Sequence, residues 1–315
     1  METLALGLFN GITYGMLLFL MAAGLTLVFS MLGVLNFAHT AFYMLGAYFG
    51  YTFSQLLGLG FWWGLLAAPV CCAVLGALVE RFGLRHVLRY GTLGPLLFTF
   101  ALDVVLVELV TLVWGKQPVS YQVPHALDFA LFTLYGIEYS AYRAFALGMA
   151  LVVLASLFLM LKMTRIGVTV RASLSHPEIV NALGHNLPAL RAGVFVLGAA
   201  LAGLAGALAG NMLGTEPGMA NQLGTVLMII IVVGGLGSLA GAFVASILIG
   251  VLQTLAISSG LSWGDFLGPL QHWASLFVGT GTLSEPLSRY ATLIPFVMVI
   301  AILVFRPRGL MGKRE

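Results

Sequence analysis

Long apolar runs separated by short polar intervals dominate this 315-residue chain. The runs lack the apolar–polar alternation of barrel strands, and many are long enough to cross a membrane as helices. The pattern therefore predicts an all-α, polytopic membrane protein with about eight or nine transmembrane helices, in a single membrane domain over residues 1–315. The nine candidate spans lie at about residues 4–29, 40–56, 61–79, 92–114, 143–161, 191–213, 223–240, 241–257 and 290–305.

Composition agrees with this prediction. Hydrophobic residues make up 60% of the chain and charged residues 8%, whereas a soluble domain carries about 25% charged residues. Met1-Glu2-Thr3 precede the first apolar run without a positive region or a small-residue cleavage site, so we expect a retained span. Cys71 and Cys72 are neighbours in an apolar run, which predicts two buried thiols. No basic run with interleaved aromatics occurs, so we expect no nucleic-acid partner.

Loop charge predicts the orientation, because cytoplasmic loops carry an excess of lysine and arginine. Placing all three basic clusters in the cytoplasm agrees with nine spans, an external N-terminus and a cytoplasmic C-terminus. Residues 162–190 then form a cytoplasmic loop, and 115–142 and 258–289 are external segments that lie on the membrane surface. The clusters are Arg81, Arg85 and Arg89; Lys162, Arg165, Arg171 and Arg191; and Arg306, Arg308, Lys313 and Arg314.

The longest polar interval in the second half of the chain is residues 165–190. Ser175 and Glu178 have the spacing of a capping box, and Pro177 suits the first helical turn. Gly184 stands where a helix favours a left-handed residue at its end. The pattern predicts a short, capped helix between two spans, flanked by basic residues. Such a helix at a membrane surface indicates that another molecule docks there.

Polar residues also interrupt the apolar sequence between residues 24 and 50. Broken helices at membrane depth survive only where their backbone faces protein or a watery cavity. Asn36 and His39 are three residues apart, which predicts that they share a helical face. These two residues either line a translocation path or form hydrogen bonds between helices that fix the break. A metal site is disfavoured, because no third ligand lies nearby in the sequence. The interrupting residues are Ser30, Gly33, Asn36, His39 and Thr40.

Asp103 and Glu108 lie inside the span at 92–114, where ionisable side chains are costly and usually functional or paired. Three interpretations apply: a coupling-ion or proton site, a polar pore lining, or a protonated carboxyl group bonded to a neighbouring helix. No lysine or arginine lies in the interior of a predicted span to complete a proton relay, since Arg143 and Arg191 stand at the first positions of theirs. An intramembrane carboxylate protease would need a second helix with a carboxylate.

Glycine clusters predict where helices break or pack closely. Gly234, Gly235 and Gly237 fall in a segment too rich in glycine for a regular span, so we expect a break or hairpin there, and Gly33 marks another break. Small residues recur at three- and four-residue spacing between residues 198 and 210, which allows close approach of a second helix.

Motifs for nucleotide binding and catalysis are absent from the sequence. No G-x-x-x-x-G-K-[ST] occurs, because Gln117 follows Gly115-Lys116 and Arg314 follows Gly312-Lys313. G-x-S-x-G, H-E-x-x-H and C-x-x-C are also missing. We therefore predict no catalytic and no metal site, and an uphill transporter of this sequence would need another chain to hydrolyse ATP.

Four stretches, in order along nearly the whole chain, resemble the permease subunits of branched-chain amino acid ABC importers of the LivH type. They are Gly24–Phe29 with Leu35–His39 and Tyr43–Tyr48; Arg171–Asn186; Val233–Ser238 with Gly241; and Phe305–Leu310. The resemblance implies a type II ABC importer-like fold, a permease for branched-chain or related amino acids, and a coupling helix that sits in a groove of the ATPase. The coupling residues are Arg171, Ser175, Pro177, Glu178, Ala182, Gly184 and Asn186.

The same resemblance implies partners in a bacterial inner membrane: a LivM-type second permease, two ATP-binding subunits and a periplasmic substrate-binding protein. The chain would hold no cofactor, because the partner subunits bind ATP. Ser175-His176-Pro177, Gly184-His185-Asn186 and Asp103 depart from the family pattern. Relatives that carry urea, amides or aromatic acids therefore stay as alternatives, beside a self-sufficient secondary transporter that uses Asp103 and Glu108.

Overall fold

The computed structural model describes residues 2–134, 137–175, 177–268, 272 and 283–312. Helices form most of the chain. Their bounds are α1 Glu2–Leu32, α2 His39–Tyr51, α3 Phe61–Val79, α4 Leu93–Trp114, α5 Ala141–Met163, α6 Arg165–Ser175, α7 Pro177–Ala182, α8 Leu187–Leu213, α9 Met219–Gly234, α10 Leu239–Ser258, α11 Trp263–Leu267 and α12 Ile294–Phe305. Further helical turns extend α2 to Leu56 and α3 to Tyr90, and a 3₁₀ helix over Leu287–Leu293 precedes α12.

Seven apolar helices in this described part are long enough to cross a membrane. They are α1, α3 with its extension, α4, α5, α8, α10 and the stretch Leu287–Phe305. The predicted spans at 40–56 and 223–240 are not among these seven. The first corresponds to α2 with its extension to Leu56, and the second to α9, which has 16 residues. The prediction of an all-α, polytopic membrane protein is confirmed.

Close helix contacts build the core, and small residues make them possible. Gly206 in α8 faces the backbone of Tyr43 in α2, and Gly203 faces both α2 and Cys72 in α3. Gly15 in α1 faces the backbone of α10 in the same way. The predicted close approach along residues 198–210 is thus present. Cys72 is buried and Cys71 is half-buried, both as free thiols.

The segment before α5 contains a β-hairpin that sequence reasoning did not predict. Strand β1, Ala130–Leu134, pairs antiparallel with β2, Ile137–Ser140. Tyr139 stacks on Phe132 with ring centroids 5.1 Å apart, and its hydroxyl lies 2.7 Å from the Thr13 hydroxyl in α1. Tyr139 is thus buried against α1.

Three contacts bring the ends of distant elements to one face of the membrane. The Ser30 hydroxyl, near the end of α1, donates to the Gly237 carbonyl at 3.0 Å. The Ser173 hydroxyl in α6 lies 3.4 Å from Met31 Sδ, and the Leu310 N–H donates to the Val233 carbonyl at 2.8 Å. We call this the basic face, because the ends of α3 and α5 carry further arginine and lysine residues there. Lys313 and Arg314 lie outside the described residues.

Candidate functional site

The first candidate region is the chain break after α1. Gly33 ends α1 in the left-handed region with φ +68°, and its N–H donates to the Phe29 carbonyl at 2.8 Å. Residues 33–38 are not helical, and α2 begins at His39. The prediction that Asn36 and His39 share a helical face is therefore wrong, because the helix starts only at the second of them.

His39 sets the depth at which α2 begins. Its Nε2 atom lies 3.0 Å from the Met21 carbonyl oxygen, which can only accept, so the ring donates. Met21 lies about three turns before the end of α1, so the chain folds back into the membrane interior before α2 starts. Helix α2 then runs to the opposite face, where Trp114 Nε1 donates to Thr52 Oγ1 at 2.9 Å. His39 thus bonds between two helices and fixes a half-helix.

Two side chains of α4 hold the start of α2. Thr40 Oγ1 donates to Asp103 Oδ1 at 3.4 Å, and the same carboxylate lies near the Ala41 N–H. The first N–H groups of a helix lack intrahelical partners and carry partial positive charge. Because Ala38 at the N-cap offers no polar side chain, Asp103 supplies the cap from another helix. One turn earlier, Thr99 Oγ1 accepts from the Phe37 N–H at 3.3 Å.

Asn36 leaves an acceptor open inside this break. Its side chain is buried, with 4% of its surface exposed. Its Oδ1 atom has no hydrogen-bond partner among the described residues. A buried polar atom without a partner costs about 1–3 kcal/mol, so this oxygen is available to a donor that enters the break.

Glu108 occupies a different place from Asp103. It is exposed on α4 and lines a cavity of about 240 Å³ toward the opposite face. Lys116 and Glu216 line the same cavity, whereas Asp103 does not. Gln222 Nε2 donates to Glu216 Oε1 at 2.8 Å, and Gln222 is itself exposed on α9. The structure therefore separates the two carboxylates and groups Glu108 with polar residues of α9 and of the loops at the face opposite the basic face.

The second candidate region is residues 165–190, which we call the surface segment. The sequence predicted one short helix there, but Arg165 and Arg171 already belong to α6, and α7 begins at Pro177. The predicted capping of α7 by Ser175 depends on its side chain, which lies outside the described part of the structure. His176 lies outside the described residues altogether.

A Schellman motif ends α7. Gly184 has φ +83°, its N–H donates to the Asn181 carbonyl at 3.0 Å, and the His185 N–H donates to the Val180 carbonyl at 3.2 Å. Asn186 Oδ1 then accepts from the Ala189 N–H at 3.0 Å and caps α8. The turn between α7 and α8 is thus fixed at both ends.

Helix α7 buries one apolar side chain and exposes two. Val180 is 3% exposed, whereas Ile179 is 56% and Leu183 is 72% exposed. Glu178 and Ala182 are exposed beside them. Since Ile179 and Leu183 are four residues apart, they lie on the same side of the helix. The surface segment therefore presents an apolar pair, on a fixed short helix, at the basic face.

The glycine-rich break lies at the same face. Helix α9 ends at Gly234, and Gly235 and Gly237 have φ values of +102° and +77°. The Leu310 and Met311 N–H groups donate to the carbonyls of Val233 and Gly234 at 2.8 and 3.0 Å. Residues 306–312 thus satisfy carbonyls that the end of α9 leaves without helical partners. This contact has no signal in the hydrophobic pattern.

Within the described residues, no group of three or more histidine, cysteine, aspartate or glutamate side chains could hold a metal ion. The site's polar residues are single groups or pairs: Asp103 with Thr40, His39 with a carbonyl, and Glu216 with Gln222.

Sequence comparisons cover almost the whole chain. The profile of a family described as "Branched-chain amino acid transport system / permease component" matches residues 7–303. The high-affinity branched-chain amino acid transport system permease protein BraD of Pseudomonas aeruginosa is 27% identical over 98% of this chain and 95% of its own length. LivH of Escherichia coli K12, described likewise, is 25% identical over the same shares. A probable LivH of Methanocaldococcus jannaschii is 26% identical over 96% and 91%. No solved structure matches significantly.

Proposed function

Since the chain belongs to the family of permease components of branched-chain amino acid transport systems, we propose that it is the membrane-spanning subunit of an ABC importer for branched-chain or related amino acids. ATP hydrolysis in separate subunits drives uptake, and this chain holds no cofactor of its own. Its partners are a LivM-type second permease, two ATP-binding subunits and a periplasmic substrate-binding protein.

The observation that carries this proposal is the apolar pair on α7. Ile179 and Leu183 are exposed at the basic face, on a helix whose end is fixed by the Schellman motif and by Asn186. Exposed apolar side chains on an ordered element mark a docking surface. We assign this surface to the ATP-binding subunit, with Glu178 and Ala182 beside the pair and Arg171 on the preceding helix.

A link from the docked helix to the membrane interior runs through α6 and α1. Ser173 in α6 is buried against Met31, near the end of α1. Helix α1 carries the Met21 carbonyl that holds His39 at the start of α2. Movement of the surface segment would therefore reach the chain break, where Asn36, Thr40 and Asp103 are positioned along the translocation path.

The proposed orientation places the basic face in the cytoplasm of a bacterial inner membrane. The arginine and lysine clusters of the loops lie there, in agreement with the positive-inside rule. The N-terminal end of α1 and the β-hairpin are then external, on the side of the substrate-binding protein. The amino acid would enter from that side and pass the polar residues near Glu108.

The test uses the importer assembled with its partner subunits in proteoliposomes. We expect Ile179→Ser and Leu183→Ser each to weaken docking of the ATP-binding subunit about tenfold, because each loses the burial of a large apolar side chain. Asn181→Ser is the matched control, since Asn181 is exposed on the same helix and only its backbone serves the Schellman motif. Co-purification of the ATP-binding subunit and ATP-driven uptake are measured together. Parental values in both serine variants would contradict the assignment.

A further inference from the structure

An apolar groove opens at the basic face, between α5 and α10. Its volume is about 450 Å³, and its walls are mostly apolar. Leu161 and Phe158 form one wall, Phe243 forms the other, and the first turn of α10 lies at the end nearer the basic face. Phe158 is 54% exposed, so this wall has no protein neighbour covering it among the described residues. The groove is therefore open to the lipid at the depth of the acyl chains.

Two cations stand where the groove meets the basic face. Lys162, in the last turn of α5, and Arg171, in α6, both line the cavity and are both exposed. The Lys162 ammonium lies 5.2 Å from the centre of the Phe158 ring. Neither cation forms an ion pair with a described residue, and no aspartate or glutamate lines the groove. Two unpaired cations at the end of an apolar groove are complementary in sign to the phosphate group of a molecule that carries acyl chains.

We propose that this groove binds one anionic phospholipid. Its headgroup phosphate lies between Lys162 and Arg171, and an acyl chain follows Phe158 and Phe243. A free phosphate would gain only the two cations, whereas a lipid also covers the apolar walls. The proposal needs only that the chain lies in a membrane, and so it stands apart from the proposed transport function.

The bound lipid would act on the surface segment. Arg171 belongs to α6, two residues before Ser173, which is buried against Met31. Lys162 belongs to α5, and only Thr164 separates the end of α5 from Arg165, the first residue of α6. A phosphate held by both cations therefore ties α6 to the end of α5 and limits how far the surface segment can move.

The experiment measures lipid retained by the purified full chain. The chain is released from nanodiscs that contain equal parts of phosphatidylglycerol and phosphatidylcholine, and native mass spectrometry counts the lipids that stay bound. We expect one phosphatidylglycerol to be retained in preference to phosphatidylcholine. Lys162→Gln and Arg171→Gln should each lower its retention about fivefold, since a cation near an anionic surface contributes about this much. Arg81→Gln and Arg89→Gln are the matched controls, because they remove exposed cations of the same face away from the groove.

Further arms separate the possible occupants. Ala240→Trp should exclude the acyl chain and lower retention although both cations remain, whereas glycerol phosphate should not compete. Equal retention of the two lipids, or loss of binding in the control variants as large as in the groove variants, would overturn the proposal. So would retention that disappears when the second permease is present, because the groove would then be a subunit interface.

Discussion

Asp103 illustrates how a carboxylate is accommodated inside a membrane span. It caps the start of α2 from a neighbouring helix, accepting from the Thr40 hydroxyl and lying near the Ala41 N–H. A half-helix that begins in the membrane interior has no water to satisfy its first N–H groups, so an acceptor must come from elsewhere in the protein. The residue therefore combines a structural bond with a position beside the chain break.

Two substitutions of Asp103 distinguish its role as a hydrogen-bond acceptor from the effect of its negative charge. Asp103→Asn keeps an oxygen that can accept from Thr40, so we expect its thermal stability in detergent to stay close to the parent. Asp103→Leu has a similar size but removes this acceptor from the start of α2 and leaves the Thr40 hydroxyl with only the Phe37 carbonyl, and we expect a loss of about 1–3 kcal/mol. Thermal unfolding followed by tryptophan fluorescence measures both. Equal stability of the two variants would contradict the capping role.

For single residues, the sequence could show which ones are unusual but not which residues they hydrogen-bond. Asp103 and Thr40 are each conspicuous in an apolar chain, yet their contact joins two helices and depends on where α2 starts. The predicted span at 40–56 began one residue after the observed start at His39. The helical face shared by Asn36 and His39 was the wrong prediction, because residues 33–38 contain helix-compatible side chains and only the fold places them between α1 and α4. Thr99 gave no signal, since a threonine in an apolar span usually bonds to its own helix, as Thr99 also does with Leu96.

Among the elements, those with local signals were predicted best. Glycine at the end of α7 and the glycines after α9 predicted where these helices stop, because a left-handed residue is a local requirement. The β-hairpin at 130–140 was missed, since a single short hairpin packed on α1 follows from long-range contacts such as that between Tyr139 and Thr13. The division of the surface segment into α6 and α7 was also missed.

The segment that follows α12 provides a test at the element scale. Truncation after Phe305 removes the N–H groups that Leu310 and Met311 donate to the end of α9. We expect a loss of about 1–3 kcal/mol from these two hydrogen bonds, seen as a lower unfolding temperature. The same truncation should also give faster amide hydrogen exchange at residues 235–241.

Truncation after Gly312 is the matched control for this test, because it leaves both bonds in place. Equal stability of the two shortened chains would show that the end of α9 does not depend on this contact. A loss of stability confined to the shorter chain would establish residues 306–312 as part of the turn between α9 and α10.

For the whole molecule, exposed polar residues gather at one end of the side formed by α4 and α9. Glu108 on α4 and Gln222 on α9 are exposed, and both lie beside the Glu216 loop. By contrast, α5 exposes apolar residues such as Val152, which is 63% exposed. A carboxylate in contact with acyl chains is costly, and less so near the end of a span than at its centre. We therefore expect the end of α4 and α9 near Glu108 to face water or another subunit.

This asymmetry predicts different environments for two exposed span positions. In the assembled importer, Glu108→Cys should react with a membrane-impermeant maleimide or cross-link to the second permease, because a polar path lies along that side. Val152→Cys should do neither, since it faces acyl chains.

The parent chain sets the background of maleimide labelling, because its two thiols, Cys71 and Cys72, are half-buried and buried. Labelling of Val152→Cys at the rate of Glu108→Cys, or protection of both without any cross-link, would contradict a path between two permeases at α4. Reaction of Glu108→Cys alone would support a path along α4, between the chain break at Asp103 and the Glu216 loop.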